Sequence, residues 1–292
     1  MLLMNKIREL FQAFHEKRLT SINISKIFVY LALIIGGILM MLPFFWMSLG
    51  AFKPVKEIMV FPPTFLPENP TLQNFVEVFE RIPFVRYYLN TIFVTVIPTI
   101  VTVSTATLAG FGFAKYKFWG DKVLFWLILA TMMIPYPVTI VPLYIMAFKA
   151  GLVDTYAGLI VVGLSSAFGI FLMRQFIINI PDDLLDAARI DGCSEFRIFF
   201  QIILPLTKPA LVTLTLFTFT GHWNAYIWPL MIVSSDRLKT LSLAIPMFQG
   251  QYVYNPNLVF AASLMSLLPT IILFIFGQRY FVEGITLSGI KE

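Results

Sequence analysis

The residues of this chain that could do chemistry are concentrated in one polar stretch, 181–205, with the sequence PDDLLDAARIDGCSEFRIFFQIILP. It lies between two long hydrophobic runs. Pro181 suits the first helical position, and Asp182 and Asp183 then lie in the first turn, where the helix dipole favours negative charge. Such a stretch offers a surface to a partner protein, although an amphipathic linker resting on lipid headgroups has the same spacing.

This stretch predicts two short helices separated by a glycine turn. Asp186 and Arg189 are spaced to form an ion pair at i,i+3, and Gly192 is expected to end the first helix in a left-handed conformation. Ser194 is a candidate N-cap for the second helix, and Pro205 marks the passage into the next hydrophobic run. The expected structure is therefore a helix, a turn and a helix outside the bilayer.

Polar side chains in the fifth hydrophobic run form a second candidate site. They could hydrogen-bond a hydroxylated solute, and they could equally bond neighbouring helices. His222 is the titratable member of the group, and a packing or hydrogen-bonding role is the commoner one for such a residue. The candidates for a substrate pathway are Thr215, Thr218, His222, Asn224 and Tyr226.

The sequence offers no catalytic or metal site. It contains no G-x-x-x-x-G-K-[ST] loop, so the usual cradle for the phosphates of ATP is missing. Residues 163–167, GLSSA, miss the G-x-S-x-G nucleophile elbow at the last position, and packing better explains small residues in a span. The single cysteine, Cys193, excludes an internal disulfide, and nothing resembles a metal site.

The composition is that of an integral membrane protein. Of the 292 residues, 58% are hydrophobic and 13% are charged, and the mean hydropathy is +0.82, far from the average of soluble domains. The net charge of +5 does not indicate nucleic acid, because no basic run is interleaved with aromatic residues outside the membrane flanks. The hydrophobic runs predict an all-α protein with spans at 27–51, 87–113, 123–147, 155–176, 209–233 and 258–278.

The remaining segments complete the predicted organisation. Residues 1–26 are expected to form a cytoplasmic interfacial segment, and 52–86, which hold six prolines among charges, an external loop. Residues 87–280 are expected to form a core domain with the second to sixth spans and the polar stretch, and 281–292 a cytoplasmic tail. Pro135 interrupts the third span, and a helix broken there must be buried in protein or line a cavity.

Small residues recur every four positions in the second span, at Ala106, Gly110 and Ala114. This spacing lets a neighbouring helix approach closely, although it also fits a merely lipid-tolerant run.

The distribution of positive charge predicts the orientation. Fourteen of the 21 Lys and Arg residues fall on the side that carries both termini and the stretch 181–205, so this side is predicted to be cytoplasmic. The interior of each predicted span is free of Asp, Glu, Lys and Arg. An ion-driven carrier commonly needs such a group inside the membrane, so the pattern argues against proton coupling.

The polar stretch resembles the EAA signature of the permease subunits of ABC importers. The matching residues are Asp186-Ala187-Ala188, Asp191-Gly192, Ile202 and Leu204-Pro205. Asp186 stands where the family more often has glutamate, which keeps the charge and shortens its reach. The resemblance implies that 181–205 is a coupling loop whose helix docks on a separate ATPase, with Asp186, Ala187, Ala188, Asp191, Gly192, Leu204 and Pro205 as coupling residues.

Further blocks resemble the carbohydrate-uptake, maltose-type branch of these permeases, at 61–63, 88–91, 110–114, 223–229, 278–284 and 289–291. The resemblance implies a type I importer permease in the bacterial inner membrane, working with a second permease, two ATPase subunits and an extracytoplasmic solute-binding protein. ATP and Mg²⁺ would be bound by the ATPase subunits, and this chain would bind no cofactor. The loop 234–257 would face the solute-binding protein. The alternative is a secondary carrier or channel.

Overall fold

The computed structural model of the chain describes residues 24–250 and 255–289, with side chains from 26 to 280 within those ranges. This part of the chain is helical and contains no β-strand. The predicted interfacial segment 1–26 lies almost entirely outside it. The helices are α1 (Ile24–Gly50), α2 (Val55–Ile58), α3 (Gln73–Arg81), α4 (Phe84–Lys115), α5 (Asp121–Thr131), α6 (Tyr136–Lys149), α7 (Tyr156–Val161), α8 (Ala167–Ile177), α9 (Asp182–Ile190), α10 (Glu195–Leu206), α11 (Lys208–Trp223), α12 (Ile227–Ile232), α13 (Leu241–Ala244) and α14 (Pro256–Gly289).

Three helices of the described chain are long and apolar enough to cross a membrane by themselves. They are α1, α4 and α14, and they correspond to the first, second and sixth predicted spans. The helix α14 continues to Gly289, into the segment predicted as a tail. The all-α membrane fold is thus confirmed, while the number of six spans and the cytoplasmic position of the termini remain predictions.

The other predicted spans are bent or broken. The helices α5 and α6 meet at an angle of 98°, and the segment Glu195–Leu206 meets Lys208–Ile232 at 79°. Pro135 is the extended residue immediately before α6, and proline disfavours helical conformation in the residue preceding it. The predicted fourth span, 155–176, consists of α7 and α8 with a break at 162–166.

The long helix α4 is central because α8 and α11 both pack along it. Small residues make the approach to α8 possible. A Cβ on Gly110 would lie 2.7 Å from Met173 Cβ and 2.9 Å from the backbone nitrogen of Arg174. Ala106 is buried in the same contact, 3.0 Å from where a Cβ on Gly169 would stand. The close approach predicted for this small-residue stripe is therefore confirmed.

Polar side chains of α4 bind backbone groups that the broken helices leave free. Thr102 Oγ1 donates to the carbonyl oxygen of Gly163, at the break between α7 and α8, over 2.6 Å. Thr91 Oγ1 accepts a hydrogen bond from the backbone nitrogen of Leu241 over 2.9 Å. An unpaired backbone group inside a membrane costs several kcal/mol, about as much as a whole hydrophobic side chain contributes.

Asn90 of α4 holds the external loop that follows α12. Its Nδ2 donates to the carbonyl oxygens of Arg237 at 2.9 Å and Lys239 at 2.8 Å. Its Oδ1 accepts from the hydroxyl of Tyr156 at 2.7 Å. Asp154 holds the beginning of the same loop, since its Oδ1 accepts hydrogen bonds from the backbone nitrogens of residues 234 and 235.

A buried ion pair organises the predicted external loop 52–86. Lys53 Nζ and Glu57 Oε1 are 3.8 Å apart, and both side chains are more than nine-tenths buried. Thr64 joins them, since its Oγ1 accepts from Lys53 at 3.0 Å and donates to Glu57 at 3.2 Å. Glu57 also accepts the backbone nitrogens of Glu68 and Asn69. Burial tends to raise the pKa of Glu57, but these hydrogen bonds outweigh it and lower that pKa.

We expect Thr102→Val to destabilise the protein by roughly 0.6–1.7 kcal/mol, the range measured for hydrogen bonds between membrane helices. The substitution keeps the shape of the side chain and removes the hydrogen bond from Thr102 to the Gly163 carbonyl, which His222 also contacts. Thr105→Val is the matched control, because the exposed Thr105 hydroxyl bonds only within its own helix. Thermal unfolding in detergent measures both variants. Equal stability of the two would show that the bond to Gly163 does not hold the break.

Candidate functional site

The first helix of the polar stretch, α9, ends in the glycine turn that the sequence predicts. Gly192 has φ of +78°, a conformation that glycine adopts without a steric penalty. The backbone nitrogen of Gly192 donates to Arg189 O at 3.0 Å, and that of Cys193 donates to Ala188 O at 2.9 Å. These two bonds form a Schellman motif. One detail differs: Pro181 is the extended N-cap rather than the first helical residue, and α9 begins at Asp182.

The second helix, α10, begins where Ser194 predicts it. Ser194 is the N-cap, and its side chain accepts the backbone nitrogen of Arg197. The middle of α10, Phe199–Ile203, is a π-helical segment, a conformation frequent at functional sites. Leu204 and Pro205 lie in the last turn, Leu204–Leu206, immediately before the 79° bend. The predicted sequence of helix, turn and helix is confirmed.

The inner face of the polar stretch packs on the protein's own core. Leu185 is 1% exposed and Ile198 is fully buried, and both contact a cluster that includes Met173 of α8. Ala188 belongs to this face, since it is 8% exposed. Its small side chain allows α9 to lie close to the core, and its role in docking remains a prediction.

The outer face of the stretch is exposed and apolar. Ala187 and Asp191 are exposed, and Ile190 is 86% exposed. Phe196 and Phe200 of α10 are 74% and 61% exposed. Large apolar side chains grouped on a surface commonly mark a site of protein association.

Ion pairs connect the two helices of the stretch. Arg189 Nη1 lies 2.8 Å from Asp186 Oδ1, which confirms the predicted pair, and Arg189 Nε lies 2.8 Å from Glu195 Oε1. Tyr116, just beyond α4, donates its hydroxyl to Glu195 Oε2. The hydrogen bond from Arg189 lowers the pKa of Glu195, while burial and the bond to Glu195 raise the pKa of Tyr116 to about 12. At neutral pH Glu195 is thus ionised and Tyr116 protonated, the states that their bond requires.

Lys115, the last residue of α4, fixes the beginning of α9. Its Nζ lies 2.7 Å from Asp182 Oδ1 and also donates to the carbonyl oxygen of Ile180. The Lys115 side chain is 4% exposed, whereas that of Asp182 is 75% exposed. The hydrogen bond from Lys115 lowers the pKa of Asp182. Lys115, Tyr116 and Glu195 were not predicted as site residues. The sequence signal for the first two is the short basic turn 115–122, KYKFWGDK, between the second and third predicted spans.

A cavity of about 370 Å³ lies where the three interrupted helices meet. It includes Tyr136 at the start of α6, Gly163 at the break between α7 and α8, and Ala225 between α11 and α12. Discontinuous helices commonly form substrate sites in transporters. The lining residues are Thr91, Val94, Tyr136, Leu159, Val162, Gly163, Gly221, His222, Trp223, Ala225, Tyr226, Ile227, Trp228, Pro229 and Thr240.

Two of the five predicted pathway residues, His222 and Tyr226, line this cavity. Asn224 is exposed and lies outside the lining. Thr215 also lies outside it, and its hydroxyl donates to the carbonyl oxygen of Leu211 in its own helix at 2.7 Å. Thr218 is half-buried and likewise outside the cavity.

Sequence analysis missed three aromatic residues of the lining, Tyr136, Trp223 and Trp228. Trp228 Nε1 donates to the carbonyl oxygen of Gly158 at 2.9 Å, so this indole also fixes α7 against α12. The break near Pro135 was predicted to be buried in protein or to line a cavity, and the position of Tyr136 in the lining agrees with the second of these.

Comparison with known sequences shows extensive similarity. The family described as "Binding-protein-dependent transport system inner membrane component" matches residues 105–286. The arabinooligosaccharides transport system permease protein AraQ of Halalkalibacterium halodurans is 33% identical over 256 residues, 85% of this chain and 90% of that protein. The sn-glycerol-3-phosphate transport system permease protein UgpE of Pectobacterium atrosepticum is 32% identical over 89% of this chain and 95% of its own length.

Comparison with solved structures shows the same fold. A chain of a bacterial ABC transporter involved in the import of the acidic polysaccharide alginate matches with a TM-score of 0.79 and 24% identity. The match covers 88% of this chain and 96% of the other. The arrangement of helices is therefore that of an ABC importer permease.

We expect Gly163→Ala to destabilise the break that borders the cavity by about 1–3 kcal/mol, as overpacking does. A Cβ on Gly163 would lie 2.4 Å from His222 Cε1 and 3.1 Å from its Nδ1. His222→Ala should remove much of this cost in the double variant, and thermal unfolding of the three proteins measures the coupling. Gly112→Ala is the control, because a Cβ there would meet nothing within 4 Å. Additive effects of Gly163→Ala and His222→Ala would contradict the contact.

Proposed function

The chain belongs to the family of binding-protein-dependent transport system inner membrane components, and from that membership we propose that it translocates carbohydrate as one subunit of an ATP-driven importer. It is a multi-pass protein of the inner membrane and a transport subunit. The observation that carries the carbohydrate proposal is the uncharged, aromatic cavity at the three helix breaks. The alternative of an ion-coupled carrier is set aside, because family and fold are those of importer permeases.

The chemistry of the cavity favours a neutral hydroxylated solute. Its lining contains Tyr136, Trp223, Tyr226 and Trp228, and no Lys or Arg. Aromatic rings pack against the apolar faces of sugar rings, and His222 and the hydroxyls offer hydrogen bonds. A phosphate ester would favour a cationic partner instead. The two similar permeases are named for arabinooligosaccharides and for sn-glycerol-3-phosphate. The uncharged lining of this cavity favours a neutral oligosaccharide over a phosphate ester.

The energy for transport is proposed to come from a separate ATPase that docks on the outer face of 181–205. This face combines the exposed apolar residues Ile190 and Phe196 with the accessible Ala187 and Asp191. The sequence has no phosphate-binding loop of its own, so ATP and Mg²⁺ would be bound by the ATPase subunits. One carboxylate oxygen of Asp186 is paired with Arg189, and the Asp186 side chain is 64% exposed. Its carboxylate can therefore still accept a hydrogen bond from a donor on the ATPase.

The remaining partners follow from the same family architecture. We infer a second permease, two ATPase subunits and an extracytoplasmic solute-binding protein. The loop 234–257 is proposed to face the binding protein, although residues 251–254 lie outside the described chain. Its first part is rigid, because Asn90, Thr91 and Asp154 all bind backbone groups between 234 and 241.

We expect vesicles that contain this chain and its partner subunits to accumulate a neutral arabino-oligosaccharide and not sn-glycerol-3-phosphate. The measurement is ATP-dependent uptake of each radiolabelled solute in the presence of the binding protein. Uptake of the phosphate ester alone would contradict the carbohydrate proposal. The variant Tyr226→Ala should lower oligosaccharide uptake, whereas Leu230→Ala, on the same helix region and outside the cavity lining, should leave it near the unmodified rate.

We expect Ala187→Trp to prevent the ATPase from co-purifying with this chain, because a bulky residue on the docking face overpacks the contact by about 1–3 kcal/mol or more. The exposed Ala150 provides the matched control, Ala150→Trp, on the predicted external side. Ala188→Trp should instead reduce folding, since Ala188 is buried. If Ala187→Trp retains the ATPase as well as Ala150→Trp does, then docking takes place elsewhere on the chain.

A further inference from the structure

A second cavity, of about 260 Å³, lies at the other end of the molecule from the external loop, between the beginning of α5 and the end of α8. It shares no residue with the cavity at the helix breaks. Its lining residues are Phe113, Asp121, Lys122, Phe125, Trp126 and Arg174. Both segments adjoin the predicted cytoplasmic surface, since the turn 115–122 and the coupling loop lie there.

Arg174 supplies an unpaired positive charge to this cavity. Its guanidinium carbon lies 4.4 Å from the centre of the Phe125 ring, and its Nε donates to the carbonyl oxygen of Phe113 at 3.2 Å. Within residues 24–250 and 255–280 it forms no ion pair. Its terminal Nη groups therefore remain free to donate to an anion.

The other charges of the cavity leave it positive. Lys122 is exposed and, like Arg174, forms no ion pair within the described side chains. Asp121 is the acidic residue of the lining, and its Oδ1 accepts the backbone nitrogen of Lys122 at 2.6 Å, at the first turn of α5. Two cations and one carboxylate thus line the cavity. One oxygen of that carboxylate already accepts a hydrogen bond from a backbone nitrogen.

The walls of the cavity place it at the level of the membrane interface. Trp119 is fully exposed beside it, and Trp126 in its wall is 69% exposed. Tryptophan is enriched at the boundary between lipid and water. The indole of Trp126 follows Lys122 by one helical turn of α5, so an exposed apolar ring lies next to the cationic residue on the same side of the helix. The cavity therefore combines positive charge with an exposed apolar wall.

We propose that this cavity binds the phosphate of an anionic phospholipid, whose acyl chain lies along α5. Arg174 and Lys122 bind the phosphate, because charge-assisted hydrogen bonds to phosphate are the strong ones and basic pockets at the cytoplasmic side of membrane helices bind anionic headgroups. An anionic lipid is favoured over a zwitterionic one because the charges of the lining, two cations and one carboxylate, sum to a positive value. A free phosphate ion would not cover the exposed indole of Trp126, whereas an acyl chain can.

The test is native mass spectrometry of the purified transporter complex, titrated with phosphatidylglycerol in a zwitterionic detergent. We expect retained phosphatidylglycerol, and an affinity lower by roughly fivefold for Arg174→Gln and for Lys122→Gln, since one basic residue near anionic lipid contributes about 1 kcal/mol. Lys149→Gln, which removes an exposed cation on the opposite predicted side, is the control and should leave the affinity unchanged.

Lys122→Gln keeps the test valid if Arg174→Gln disturbs folding, because the exposed Lys122 side chain forms no hydrogen bond or ion pair within the described chain. Retention of phosphatidylglycerol by Lys122→Gln and a folded Arg174→Gln at the unmodified affinity would overturn the proposal. So would equal retention of phosphatidylcholine, or complete displacement of the lipid by millimolar inorganic phosphate. Phosphate without effect supports the lipid as the ligand.

Discussion

The structure depends on the rule that backbone groups inside a membrane must find hydrogen-bond partners within the protein. Continuous helices satisfy this rule themselves, but the breaks at 132–135, 162–166 and 224–226 do not. At the second break the partner is a hydroxyl of α4, since Thr102 binds the carbonyl of Gly163. A side-chain cap satisfies a further group at this break, since Ser166 Oγ accepts a hydrogen bond from the backbone nitrogen of Gly169. A cavity between broken helices is possible because side chains of the continuous helix α4 supply hydrogen-bond partners for the backbone groups at the break.

The same helix connects all the parts to which a function is given. Near its beginning Asn90 holds the external loop, in its middle Thr102 holds the wall of the cavity, and at its end Lys115 and the following Tyr116 hold the coupling loop. In the proposed docking, a displacement of the stretch 181–205 would therefore act on the end of α4. The helix α4 has 32 residues with Pro98 in its interior, and it connects that end to the cavity and the external loop.

Local features could be predicted from the sequence, and long-range contacts could not. The conformation of Gly192, the cap at Ser194 and the pair of Asp186 with Arg189 each depend on residues a few positions apart, and each is confirmed. The inward position of Ala188 depends on packing against α8, and the bond of Tyr116 to Glu195 joins residues 79 positions apart. Of the fifteen residues that line the cavity, two were predicted, His222 and Tyr226. The reason is the same, since residues such as Tyr136 and His222 come to one cavity through the folding of separate spans.

The distribution of charge indicates which attachments can change during transport. The pair between Asp186 and Arg189 is largely exposed, and such pairs contribute little to stability because water and salt screen them. In the proposed docking, a donor on the ATPase would therefore replace Arg189 at Asp186 with little loss of stability. The Lys115 side chain is buried, so removing its partners would leave an unpaired charge away from water, which is unfavourable. In the proposed docking, the exposed side of α9 is thus the part that can rearrange, while the buried attachment of α9 to α4 persists.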